Sequence, residues 1–175
     1  MGDPNVGKSC LIKRYCEGRF ISEYISTIGI DYGVKTIQME ELEVKVNFWD
    51  IAGDSVYFEI RNEFYKDTHG VILVYDTSNK ETFTNLQSWI DELNTYCQSE
   101  TISFLVANKV DQFPRAVTRK EGESMAEQLG LRYFETSALT GEGVQSMFNA
   151  LFAEVLKMLE GQDEQRASKG SKDES

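Results

Sequence analysis

The chain has 175 residues, 41% of them hydrophobic and 11% aromatic, which one globular domain with a substantial core accounts for. Its formal net charge of −11 opposes phosphate backbones and anionic membrane surfaces, so nucleic acid is excluded as the expected partner. Three cysteines without metal-site spacing (Cys10, Cys16, Cys97) and the single histidine, His69, exclude a disulfide framework and histidine-rich metal chemistry.

The opening stretch from Gly2 to Ser9 reads G-x-x-x-x-G-K-S. In that pattern glycines let the backbone wrap a phosphate, successive N–H groups turn inward, and the dipole of the following helix favours negative charge. Lys8 is placed to reach the β- and γ-phosphates, and the Ser9 hydroxyl to ligate Mg²⁺. Asp3, Pro4, Asn5, Val6, Gly7 and Cys10 complete the nucleotide-binding set here, and "SCLIKRY" is patterned as the helix that should follow. Only Met1 precedes the loop, although such a loop hangs from the end of a buried strand.

"VKTIQM" and "EVKVNFWD" read as two extended segments joined by an acidic turn around Glu40 to Glu43. In the second, Val44, Val46 and Phe48 share one face while Lys45, Asn47 and Trp49 share the other, which makes Phe48 core. "WDIAG" (49–53) closes it with Asp50, placed to hold Mg²⁺ through water. "GVILVY" (70–75) and "ISFLVA" (102–107) are continuous apolar runs, as in strands buried on both faces of a parallel sheet. Between them Phe83, Leu86, Ile90 and Leu93 recur at spacings of three and four, an amphipathic helix.

"NKVD" (108–111) follows the second run directly. The Asp111 carboxylate can accept from N1–H and N2–H₂ of guanine; adenine has neither donor and would leave it unpaired. "ETSALTG" (135–141) places Ser137 and Ala138 after another short strand, where a backbone N–H can meet guanine O6. Val144, Met147, Phe148, Leu151, Phe152, Val155 and Leu159 form a long apolar helical stripe. From residue 160 to 175 only one alanine is apolar, so a folded domain over 1–159 and a disordered polar tail over 160–175 are expected. Strands alternating with helices predict an α/β domain with a mostly parallel sheet flanked by helices.

The four motifs, in this order and each at a strand's C-terminal end, resemble a small Ras-superfamily GTPase of the P-loop type from Met1 to about Leu159. "IGIDYG", "KVNFWDIA", "LVYDTS" and "NLQSWI" resemble Rab segments. "KSCLIKRYCEGRF", "TIGIDYGV", "RNEFYKDTHGVILVYD" and "YFETSALTGEGV" bring the chain nearer to the Rab-like RJL lineage. Some members of that lineage carry a J domain, whose His-Pro-Asp triplet is not found here because Gly70 follows His69.

The resemblance implies GTP and GDP as ligands with Mg²⁺. Thr27 is then a metal ligand beside Ser9 and the water-mediated Asp50, Gly53 an N–H donor to the γ-phosphate, and Phe20 a cover for the guanine. Lys109 joins Asn108 and Asp111 at the base. Effectors, exchange factors and GTPase-activating proteins are the implied partners of a cytoplasmic monomer, with Ile30, Trp49 and Tyr65 as the partner surface. "SKDES" offers no cysteine for a prenyl anchor.

Two departures change the expectation. Asp54 and Ser55 stand where glutamine and glutamate are usual, and a carboxylate cannot donate to the water–phosphate array. No catalytic residue is therefore assigned, and a slow GTP hydrolase is expected. The alternative is a nucleotide-locked interaction module without catalysis; an adenylate-type P-loop kinase conflicts with N-K-x-D. The second departure is the first strand, which in the Ras-type sheet lies centrally, between the third and fourth. Its absence leads us to expect an upstream strand in the native protein, poor folding of a chain starting at Met1, and a gap between two strands.

Overall fold

In the computed structural model residues 1–22, 25–97 and 100–170 are described, with side chains as far as 164. Helix α1 (Lys8–Glu17) leaves directly from the glycine loop and ends at Gly18, whose φ of 69° returns its N–H to Arg14 O. Strands β1 (Ile30–Met39) and β2 (Leu42–Ile51) form an antiparallel hairpin pairing Met39 with Leu42 and Ile30 with Ile51. The expected alternation is present: Phe48 is buried and Trp49 is 42% exposed.

After a short helix α2 (Phe58–Arg61), strands β3 (Gly70–Asp76), β4 (Ile102–Asn108) and β5 (Arg132–Thr136) form a parallel sheet in that order. Alternate side chains of this sheet enter two cores. Val74, Phe104 and Val106 meet Leu11 and Tyr15 of α1 and Met147 of α6 (Val144–Gly170). Leu73, Tyr75 and Leu105 meet Leu86 and Ile90 of the opposite helical layer. This is an α/β fold with a helical layer on each sheet face, and its strand ends share one edge.

Two expectations are corrected here. The amphipathic segment after β3 is two helices, α3 (Lys80–Thr84) and α4 (Leu86–Tyr96), because Asn85 breaks the run and sends its amide to Asp3 Oδ2 at 2.7 Å. The tail expected to lack structure from 160 is helical as far as Gly170, continued by glutamate, glutamine and arginine, all good helix formers. Residues 171–175 lie outside the described residues. Helix α5 (Arg119–Leu129) is held by a capping box in which Thr118 and Glu121 exchange side-chain and backbone hydrogen bonds.

Among the described residues the hairpin and the parallel sheet share no ladder. Strands β2 and β3 face each other across an apolar slot of about 390 Å³, lined by Val46, Phe48, Ile72, Leu151, Phe152 and Val155 among others. The gap expected from the sequence lies here. At its end the Met1 ammonium donates to Ile72 O at 2.7 Å and Val74 N–H donates to Met1 O at 2.8 Å, one rung of a parallel ladder on β3.

A variant extended before Met1 by about five residues alternating valine and isoleucine is expected to be the more stable form in urea titrations followed by circular dichroism. Each side chain entering the slot contributes about 1.5–3 kcal/mol. An extension of lysine and aspartate should give no gain; equal gains from both would show that the slot does not receive a strand.

Candidate functional site

The glycine loop turns through positive φ at Gly2 (138°), Asn5 (64°) and Gly7 (99°) before α1 begins. At two of these positions side chains are barred by space as well as by φ. A Cβ on Gly2 would stand 2.2 Å from Val74 O, and one on Gly7 would stand 2.3 Å from Asn108 Nδ2. The Asn108 amide is fully buried and joins three loops. Its Nδ2 donates to Val6 O at 2.8 Å, while its Oδ1 accepts from Thr136 Oγ1 at 3.1 Å and from Ala138 N–H at 3.3 Å. Asp111 Oδ1 accepts from Ser137 Oγ. The predicted phosphate loop and base loops therefore converge on one edge of the sheet.

Lys8 Nζ lies in the mouth of the loop, donating to Gly2 O at 2.7 Å and Asp3 O at 2.8 Å. Burial brings its ammonium down to about 8, against the opposing pull of Asp50 and Asp3. Ser9 Oγ and Thr27 Oγ1 are 3.0 Å apart. Beside them Asp50 is buried, and its Oδ1 has no hydrogen-bond partner among the described residues. Burial raises the Asp50 pKa, while a hydrogen bond from Ser9 and the Lys8 charge lower it.

An orphaned carboxylate oxygen next to two hydroxyls is a hard-oxygen donor set that fits Mg²⁺. Among the described residues no group of three His, Cys, Asp or Glu forms a metal site, so an ion here would complete its shell with phosphate oxygens and water.

Other predicted residues fall as follows. Gly53 abuts the loop so closely that a Cβ would meet Asp3 C and Pro4 N at 2.5 Å. Pro4 and Asn5 are exposed at the loop tip, whereas the Val6 side chain is wholly buried and only its backbone faces the site. Cys10 is half-buried, with its thiol pKa raised by burial. Phe20 packs on the core containing Val6 and Leu11. Lys109 has a φ of 64° and pairs with Asp76 Oδ2 at 2.6 Å. Ser137 N–H is taken by Glu142 O, and Ala138 is buried.

Tyr65 is corrected: it is 2% exposed, with its hydroxyl on Glu92 Oε1, and offers no partner surface. Its place beside Trp49 is taken by Phe64, with ring centroids 4.8 Å apart, and by Tyr32 at 4.5 Å. Ile30 is half-buried against the core. The slip is one residue in a helical turn, and only the three-dimensional path of 58–65 reveals it.

Sequence reasoning also missed two sets of ties. Trp89 Nε1 donates to Asp3 Oδ1 at 2.7 Å, holding the phosphate loop to α4 together with Asn85. Arg14 on α1 donates from Nε to Ala138 O at 2.8 Å and from Nη2 to Leu139 O. Trp89 and Arg14 lie within the stretches NLQSWI and KSCLIKRYCEGRF, but nothing in the pattern of those stretches marks their distant partners.

Asn108→Ala is expected to lower stability by about 2–3 kcal/mol, because the buried Val6 carbonyl and Ala138 N–H lose their partner. Chemical denaturation against the parent chain checks this, and a loss within error would show that the three loops hold without the amide.

The sequence matches the Ras family over residues 1–157. DnaJ homolog subfamily C member 27 of Rattus norvegicus is 51% identical over 166 residues, covering 91% of this chain and 61% of that protein. The Homo sapiens protein of the same name is 49% identical over 166 residues, with the same shares. DnaJ homolog subfamily C member 27-A of Xenopus laevis is 49% identical over 164 residues, covering 90% of this chain and 60% of its own length. The chain thus spans about three fifths of the length of these relatives. With the glycine loop, Asp50 and the Asn108–Asp111 turn assembled on one sheet edge, and a match that runs through nearly all the described fold, the chain belongs to the Ras family of small GTP-binding proteins.

Proposed function

We propose that this chain is a Rab-like molecular switch that binds GTP and GDP with Mg²⁺, recruits effectors and hydrolyses GTP slowly. The observation that carries the reading is the Asn108 amide, which couples the phosphate loop to the turn presenting the Asp111 carboxylate. Guanine offers two N–H donors to that carboxylate, and adenine offers none. Mg²⁺, when bound, neutralises phosphate charge; Ser9 and Thr27 would hold it directly and Asp50 through water. Lys8 would exchange its bonds to Gly2 O and Asp3 O for phosphate oxygens, and Gly53 N–H would face the terminal phosphate.

Slow hydrolysis is supported by what Asp54 does. Its Oδ1 accepts from Val56 N–H at 3.0 Å, capping the short turn that follows, and a carboxylate lacks the amide N–H that glutamine would donate to the water–phosphate array. That same observation favours a second reading, a nucleotide-locked module without catalysis. For partner binding, Tyr32, Trp49 and Phe64 form an aromatic cluster, in which Tyr32 and Trp49 are exposed. Aromatic groups of this kind serve as anchors in protein interfaces. Exchange factors and GTPase-activating proteins are the regulators such a switch requires.

Two measurements test the reading. GDP should bind at least about a hundredfold more tightly than ADP in a fluorescence titration, and Asp111→Ala should remove most of that preference; equal affinities would refute the base assignment. In single-turnover phosphate release, Asp54→Gln is expected to speed hydrolysis at least about tenfold. Retained GTP with no release from the parent chain supports the locked module, and an ordinary rate unchanged by the substitution rejects the role given to Asp54.

A further inference from the structure

The segment after Gly53 is built from pieces too short to stand alone: a 3₁₀ turn at Ser55–Tyr57, α2, and a second turn at Asn62–Phe64. Most of its surface is wet, with Val56 71% and Ile60 52% exposed. What fixes it is Arg61, whose side chain is 5% exposed. Arg61 Nε and Nη2 each donate to one oxygen of Glu92 on α4 at 2.7 Å, and Nη1 donates to Asp54 O at 2.8 Å. The planar fork meets a carboxylate with both arms and still has a donor left for the backbone.

The clamp reaches further than this pair. The guanidinium lies 4.5 Å from the centre of the Trp89 ring, and Trp89 donates to the Asp3 carboxylate in the phosphate loop. Glu92 also accepts from Tyr65 at the far end of the segment. Phosphate loop, α4, Asp54 and Tyr65 are therefore joined through one buried cation. A ligand shifts a conformational equilibrium only as far as it binds the two states differently, and a segment already fastened at both ends leaves little to shift.

We infer that Arg61 is a positioning residue that holds residues 54–65 in one arrangement whether GDP or GTP is bound. The aromatic cluster at Phe64 is then presented in both states, and nucleotide sensing falls to the stretch carrying Thr27. This rests on the guanine-nucleotide reading above.

The test is amide hydrogen exchange read by mass spectrometry on the full chain without nucleotide, with GDP and with a non-hydrolysable GTP analogue. Binding of each nucleotide is measured on the same samples. In the parent chain, protection over 54–65 should differ less than about twofold between the two nucleotides; in Arg61→Ala it should fall at least about tenfold with GDP and partly recover with the GTP analogue. Peptides from β3 and β4 report whether a variant is folded. If Arg61→Ala is not, Arg61→Lys, which keeps the charge but loses the fork, decides by the same criterion with an intermediate loss. A change of tenfold or more between nucleotides in the parent chain overturns the inference, as does unchanged exchange in the folded variants. If no guanine nucleotide binds, the switch reading fails, and the nucleotide-free comparison of parent and variants still shows whether Arg61 fastens the segment.

Discussion

The arrangement of the site depends on one side-chain amide in a place where water cannot substitute for its partners. Asn108 ends β4, beside the strand that delivers the 137–138 loop, and uses a donor on one side and an acceptor on the other. An amide has this double capacity, whereas a carboxylate would repel the Val6 carbonyl and an apolar residue would leave both neighbours unpaired. The same requirement reaches back into the sequence at Gly7, since the room taken by Nδ2 is the room a side chain there would need. Parallel strands bring the Asn108 and Ser137 loops to one edge, Met1 seats the glycine loop beside β3, and the amide sets their spacing.

The hairpin is attached to the rest of the molecule in a different way. No ladder joins β2 to β3 among the described residues, so its position is set by side-chain packing. Phe48 projects from β2 into an aromatic group with Tyr15 of α1 and Phe148 of α6, at centroid distances of 6.1 and 5.8 Å. The close approach of Gly53 to Asp3 completes the attachment. Asp50 and Gly53 ride on this hairpin. Packing is less directional than a ladder, so the place of these two groups relative to the loop rests on a few bulky contacts.

Much of this was legible in the sequence because the relevant signals are local. Continuous apolar runs marked β3 and β4, strict alternation marked β2, and motif spacing marked the loops. Helix α5 escaped notice because its buried residues are only Gly122 and Ala126, too small to make an apolar stripe, although the Thr118 and Glu121 capping pair was available to be read. The break at Asn85 was hidden because the apolar period continues across it and its cause, Asp3, is distant in the chain. Tyr65 was misplaced, and Arg61, Glu92 and Trp89 were passed over, for the same reason: a buried polar tie is defined by partners that local pattern does not reveal. The helical continuation past 159 reflects propensity prevailing where composition suggested a coil.

Helix α1 joins the two ends of the site as well as following the loop. Lys8 stands in its first turn, and Arg14 grips the carbonyls of the 138–139 turn from six residues on, roughly 9 Å along the axis at 1.5 Å per residue. A helix hardly stretches, so the distance between the phosphate end and the base end is held by a rod instead of by flexible loops. The rod acts as a gauge: a ligand with a base at one end and phosphates at the other, of the right reach, engages both ends at once. Free base or free phosphate engages one end and forgoes the gain that comes when a second contact is already in place.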